Sequence, residues 1–298
     1  MRPIFLFLAS GDSLYAGAAL LLVAIIISRR SAPRWSLVLR RTISWLALAL
    51  MVMASPPFAW IVDGTFLAVF AMWMITSNQA IAGWKLRVHA AATAVLIMLL
   101  VVLPAIEFSH RSMPAVTGGP EDHIVVLGDS ISSGIGSRTA TWPAVMQQTT
   151  GLLVNNLALP GATTAEGKAM AQKVKAEDHI ILIELGGNDL LAGISSTAFA
   201  YNLEALLSQI SKPGRIVVMF ELPLLPHQLA FGRIQRRLAE KYNVSLIPKR
   251  FLTNVLGGPN ATLDGLHLSD IGAHHMAAVV VQALAPVIKT NLATKRSD

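Results

Sequence analysis

Four long apolar runs occupy most of the first 108 residues, at about 4–28, 42–62, 65–83 and 88–108. Each approximates the roughly 20 residues needed to cross the hydrocarbon core of a bilayer. That length, with arginines clustered between the runs, argues against core helices of a soluble fold. The runs therefore predict about four transmembrane helices over residues 1–108. Pro56 and Pro57 should kink the second run or end it early, and Asp63-Gly64 is read as a tight turn between the second and third.

The charges orient these helices. The first loop carries Arg29, Arg30, Arg34, Arg40 and Arg41, the third carries Lys85 and Arg87, and the second has only Asp63. Positively charged loops stay on the cytoplasmic side, so the fourth run should deliver everything after about residue 109 to the outer side. The expected location is a bacterial inner membrane, multi-pass, with the rest of the chain extracytoplasmic. A cleaved signal peptide ending at "LAS" (8–10) is the alternative for the first run. Its apolar stretch is short and only Arg2 precedes it, and it would leave the downstream topology unchanged.

This distribution also disposes of the net charge. The chain has 24 Lys/Arg and 17 Asp/Glu, a balance of +7. Residues 1–113 hold nine of the basic and three of the acidic groups. The excess thus belongs to the apolar half, and no basic stripe with interleaved aromatics suggests nucleic-acid binding. Cysteine is absent, which excludes disulfides, thiolate nucleophiles and cysteine metal sites.

Residues 109–122, "SHRSMPAVTGGPED", read as a linker. Beyond them, short β-branched runs alternate with helix-like spacing. Strands are expected at 123–128, 152–158, 179–185, 215–222 and 244–248. Helices are expected at 142–151, 163–177, 196–210, 229–243 and about 269–289. Near-continuous apolar strands alternating with helices imply a parallel sheet covered on both faces. The fold class is therefore α/β, with a flavodoxin-like, doubly wound domain over 123–298. Such sheets bind ligands beyond the carboxyl ends of their strands.

Polar motifs fall at those ends. "GDS" (128–130) follows the first strand, "LPGATT" (159–164) the second and "GGND" (186–189) the third. "LDGLHLS" (263–269) precedes the last helix. Together they are the parts of a serine acyl-transfer site. Ser130 is the nucleophile and needs a base. His267 is the candidate base, and Asp264, three residues earlier, can fix its tautomer. The amides of Ser130 and Gly161 and the side chain of Asn188 can serve as oxyanion donors.

These blocks, with "ILIELGGNDLL" and "WPAVMQQ", resemble the SGNH-hydrolase (GDSL) family over 123–275, nearest its bacterial thioesterase/lysophospholipase/arylesterase branch. The resemblance implies a flavodoxin-like fold, a Ser130–His267–Asp264 triad and an oxyanion hole from Ser130, Gly161 and Asn188, with no cofactor or metal. Ile131 replaces the leucine of the family tag. A complete tag, G-D-S-L, does occur at 11–14, but Ser13 lies in the first apolar run with no loops to hold a base, so it is read as coincidence.

Other residues read as structural. His274 and His275 are adjacent on a helix and point apart. Trp142 and Phe220 suit a core, "RIQRRLAEKYN" suits a solvated helix face, and His227 could line the cleft. The expected activity is ester hydrolysis through an acyl-serine, on an O-acetyl, lipid or other small ester, with envelope polysaccharide or lipid as possible partners. An O-acyltransferase or a non-catalytic envelope scaffold are the alternatives.

Overall fold

The computed structural model describes residues 3–28, 34–77, 83–114, 116, 123–135 and 141–288. The chain divides into two compact units: one is Phe7–Arg111, and the other is Met1–Leu6 with Ser112–Asp298.

The first unit is helical. After α1 (Pro3–Ala9) come α2 (Ser13–Ser28), α3 (Arg34–Met53), α4 (Trp60–Thr76) and α5 (Trp84–Ser109). Leu14, Leu21, Phe66, Phe70, Trp73 and Leu96 pack between them. The outward positions are apolar too: Val38, Trp60, Ile61, Ile75, Val101 and Phe108 are exposed. Helices apolar all round suit lipid or a large core. Among the described residues, one helix, the 26-residue α5, is long and apolar enough to cross a membrane; α2 and α4 are apolar but shorter.

The helix boundaries correct the sequence reading in three places. The first run is broken, because a turn at Ser10–Asp12 separates α1 from α2. Gly11 there adopts φ 82°, and the Ser10 hydroxyl donates to Asp12 Oδ2 at 2.8 Å. The second helix starts at Arg34, so Arg40 and Arg41 lie within it rather than in a loop. It ends at Met53, just ahead of Pro56-Pro57, as proline sterics require. The reversal follows at 54–59, so Asp63-Gly64 is not a turn. It lies in α4, with Asp63 in the first helical turn, where a carboxylate complements the helix dipole. Arg29 and Arg30 lie outside the described residues.

The second unit is a five-stranded parallel sheet. Its strands are β1 (His123–Gly128), β2 (Leu153–Asn156), β3 (Ile180–Glu184), β4 (Ile216–Phe220) and β5 (Ser245–Ile247). Their order is β2-β1-β3-β4-β5, the flavodoxin-like order, whose switch point lies between β1 and β3. β1 and β3 are buried almost throughout. Alternate side chains enter two cores. Ile124, Val126, Ile180 and Leu182 face one that also holds Trp142 and Phe220. Val125, Leu127, Ile181 and Ile183 face the other, with Phe199 and Leu206.

The covering helices are α7 (Trp142–Thr150), α8 (Thr164–Ala171), α10 (Ser196–Ile210), α11 (Leu229–Lys241), α12 (Lys249–Gly257) and α13 (Asp270–Ala283). Two short helices, α6 (Ser130–Ser133) and α9 (Gly187–Leu191), follow β1 and β3 directly. α8 ends well short of the expected 177, whereas α7 and α10 match their expected spans closely. α12 was not expected. The folded unit also reaches into the expected linker, since Val116 is buried in the core; residues 117–122 lie outside the described set.

Candidate active site

The expected site residues lie at the carboxyl edge of the sheet, in the short helices α6 and α9 or the loop after β2, and on the loop before α13. β1 ends at Gly128 and the chain turns into α6 at Ser130, which is buried. That turn is tight because Gly128 has no side chain. A Cβ there would sit 2.5 Å from the Ser132 hydroxyl, 2.6 Å from its Cβ and 3.3 Å from Glu184 Oε2. Asp129 caps the turn, its Oδ1 accepting the Ile131 N–H at 2.9 Å.

The second loop brings Gly161, with φ +74°, a conformation that favours glycine. The third brings Asn188. Its Nδ2 donates to Asp129 Oδ2 at 2.9 Å and to the Ala162 carbonyl at 3.1 Å. Asp189, fully buried, accepts the Thr164 N–H at 2.8 Å and the Thr164 hydroxyl at 2.6 Å. The three segments are therefore joined by hydrogen bonds to carboxylates, buried at Asp189 and part-buried at Asp129, a strong class worth roughly 1.5–3 kcal/mol each. Among the described residues, the backbone N–H groups of Ser130 and Gly161 have no protein acceptor.

The last loop is closed by an antiparallel bridge between Thr262 and Leu268 and by the Leu263 N–H on the His267 carbonyl at 2.8 Å. Within it, His267 Nδ1 lies 2.6 Å from Asp264 Oδ2. Asp264 Oδ1 accepts the amides of Leu266 and His267 at 2.9 and 2.8 Å. The hydrogen bond from the His267 ring, then these two amides, hold the Asp264 carboxyl well below the usual carboxylate range. With Nδ1–H donated to Asp264, the other ring nitrogen, Nε2, is left to accept a proton.

The structure thus joins Asp264 to His267 and Asn188 to Asp129. It does not join the Ser130 hydroxyl to the His267 ring by a hydrogen bond.

Ser13, by contrast, begins α2, is fully buried, and its hydroxyl has no hydrogen-bond partner. Among the described residues, no group of three or more His, Cys, Asp or Glu could hold a metal ion. His274 Nδ1 lies 2.7 Å from the Asp270 carbonyl, and His227 lies on a single 3-10 turn. Trp142 and Phe220 are core residues.

Two features were missed in the sequence. α11 is not merely a solvated face. Gln235 is buried and holds the Leu222 N–H at 3.0 Å and the Phe220 carbonyl at 3.2 Å, and Arg236 pairs with Glu221 at 2.7 Å. Glu184, at the end of β3, is a buried carboxyl directly beneath the Ser130 turn. Only its register opposite Gly128 reveals this, and register is invisible in a single sequence.

Residues 126–275 match the GDSL-like lipase/acylhydrolase family. An arylesterase of Vibrio mimicus is 32% identical over 178 residues, covering 55% of this chain and 88% of that protein. Esterase TesA of Pseudomonas aeruginosa is 30% identical over 159 residues, covering 48% and 78%. The crystal structure of TesA superposes with a TM-score of 0.50 at 28% identity, covering 55% of this chain and 99% of that one.

Proposed function

Because the chain belongs to the GDSL-like lipase/acylhydrolase family and is a serine ester hydrolase, we propose that Ser130, His267 and Asp264 are its catalytic triad. The N–H groups of Ser130 and Gly161 and the side chain of Asn188 then form the oxyanion hole. The observation that carries this is the 2.6 Å Asp264–His267 contact, on the loop that leads into α13.

The mechanism follows from these groups. Substrate binding brings the Ser130 hydroxyl within reach of His267 Nε2; catalytic hydrogen bonds commonly tighten only at that stage. Ser130 Oγ attacks the acyl carbon as Nε2 takes its proton. Asp264 stabilises the imidazolium. The N–H donors meet the oxygen that becomes negative. Collapse expels the alcohol, which takes the proton from His267 and leaves acyl-Ser130. Water, deprotonated by His267, then attacks the acyl carbon; the bond to Ser130 Oγ breaks, His267 returns the proton to that oxygen, and the acid is released.

The proposal extends to location. The helical unit anchors the enzyme, multi-pass, in a bacterial inner membrane, with the catalytic unit extracytoplasmic. Support comes from the length and apolarity of α5, the apolar outward faces of the helical unit and the clustering of Arg29, Arg30, Arg34, Arg40 and Arg41 between the first two apolar runs and of Lys85 and Arg87 before the last. Substrates are acyl esters at that surface: O-acetyl groups of envelope polysaccharide, lysophospholipid or other small esters.

Short-chain nitrophenyl esters test the catalytic part. Hydrolysis by the full-length protein should vanish in Ser130→Ala and persist in Ser13→Ala; the reverse pattern overturns it. A topology reporter fused after residue 109 should register outside, and a cytoplasmic signal overturns the orientation.

A further inference from the structure

Behind the nucleophile lies a buried polar chain that the mechanism does not use. Trp142 Nε1 donates to the Ser132 hydroxyl at 3.1 Å. Ser132, fully buried, donates in turn to Glu184 Oε2 at 2.8 Å. The Asp129 backbone N–H also reaches Glu184 Oε2, at 3.5 Å, so the two carboxyls are neighbours. Asp129 completes the chain, accepting from the Ile131 N–H and from Asn188. Both acids are about 5% exposed or less.

Two carboxylates this close and this buried cannot both be ionised. The donors show which one keeps the charge. Asp129 already accepts from Ile131 and Asn188 on separate oxygens, so it is the anion. One proton must then lie on the pair, and Glu184 is the one left to carry it. Burial, then the charge of Asp129, pushes the Glu184 carboxyl well above its ordinary range.

We propose that Glu184 is a positioning residue for the nucleophile: protonated, it donates to Asp129 and so holds the Ser130 turn and the Asn188 side chain in register for attack. This rests on Ser130 being the nucleophile. Deprotonation of Glu184 at alkaline pH places a second negative charge beneath the turn and breaks that hydrogen bond. Other charged groups bear on the pair. Burial raises the Asp129 carboxyl above its ordinary range; the Ile131 amide, Glu184 and His267 act the other way, and Asp189 adds to the rise. On β4 the following Glu221 is bound to Arg236, and the buried Lys249 opens α12 beyond β5. α7 presents the Trp142 N–H.

The test is a pH profile of kcat and KM for the full-length enzyme and two variants, with thermal unfolding alongside. Glu184→Gln keeps a neutral donor toward Asp129 and an acceptor for Ser132. It should retain kcat near neutrality and lose the alkaline decline of the parent enzyme. Glu184→Ala should lower kcat by about ten- to a hundredfold, the scale of a misplaced reacting group, with KM little changed. Infrared difference spectra at neutral pH should show a protonated carboxyl band that Glu184→Gln removes. A parent-like alkaline decline in Glu184→Gln, or no such band, overturns the proposal even if Glu184→Ala fails to fold. Activity surviving in Ser130→Ala would instead overturn the assignment on which it rests.

Discussion

Asn188 Nδ2 is bound both to Asp129 Oδ2, at 2.9 Å, and to the Ala162 carbonyl, at 3.1 Å. One side chain thus ties the loop after β3 to the residue before Ser130 and to the loop after β2. Both its N–H groups are engaged, so serving an oxyanion requires one to be shared or released, and the longer bond to Ala162 is the weaker tie. Asn188→Ala should lower kcat by about a hundred- to a thousandfold, the usual cost of a lost oxyanion donor, with a small change in KM. Steady-state kinetics on a nitrophenyl ester check this. A change confined to KM would assign Asn188 to ground-state binding instead.

The Asp264–His267 pair sets the second prediction. His267→Ala should cost about a hundred- to ten-thousandfold in kcat, the range for a general acid–base. Asp264→Asn should cost less, because Asp264 is exposed and solvent shares its role. Its carboxyl titrates below the ordinary range. The pair is therefore intact above that range and is lost only as pH falls through the depressed value. At neutral pH, where the carboxylate is fully ionised, Asp264→Asn should reduce kcat for a nitrophenyl ester. An unchanged kcat would contradict the assignment.

The Gly128 turn supplies the third. A methyl group at Gly128 would meet Ser132 at 2.5 and 2.6 Å, and neither atom can move without breaking the Trp142–Ser132–Glu184 chain. Gly128→Ala should destabilise the protein by about 1–3 kcal/mol, as overpacking does, and should slow ester hydrolysis. Thermal or denaturant unfolding measures the first effect. An unchanged midpoint would show that the turn can relax.

The sheet unit was legible because its strands are continuous apolar runs of the right length, bounded by turn residues. The site was legible because its motifs are contiguous in sequence: Asp264 and His267 are three residues apart, and Asn188 lies within "GGND". What could not be read depends on partners distant in the chain. Glu184 meets Asp129 across 55 residues and Asp189 meets Thr164 across 25. Arg236 looked like a surface charge until the end of β4 placed Glu221 opposite it. In the helical unit, composition located the apolar runs but not their ends. Asp63-Gly64 has turn chemistry, yet the chain had already reversed at 54–59, which places Asp63 in the first turn of α4.

Which serine becomes acylated decides the rest. Treating the full-length protein with a fluorophosphonate and mapping the modified peptide by mass spectrometry reads this directly. The expected result is one phosphonyl adduct, on Ser130, absent from Ser130→Ala and undiminished in Ser13→Ala. An adduct on Ser13, or ester hydrolysis with Ser130 unlabelled, would contradict it.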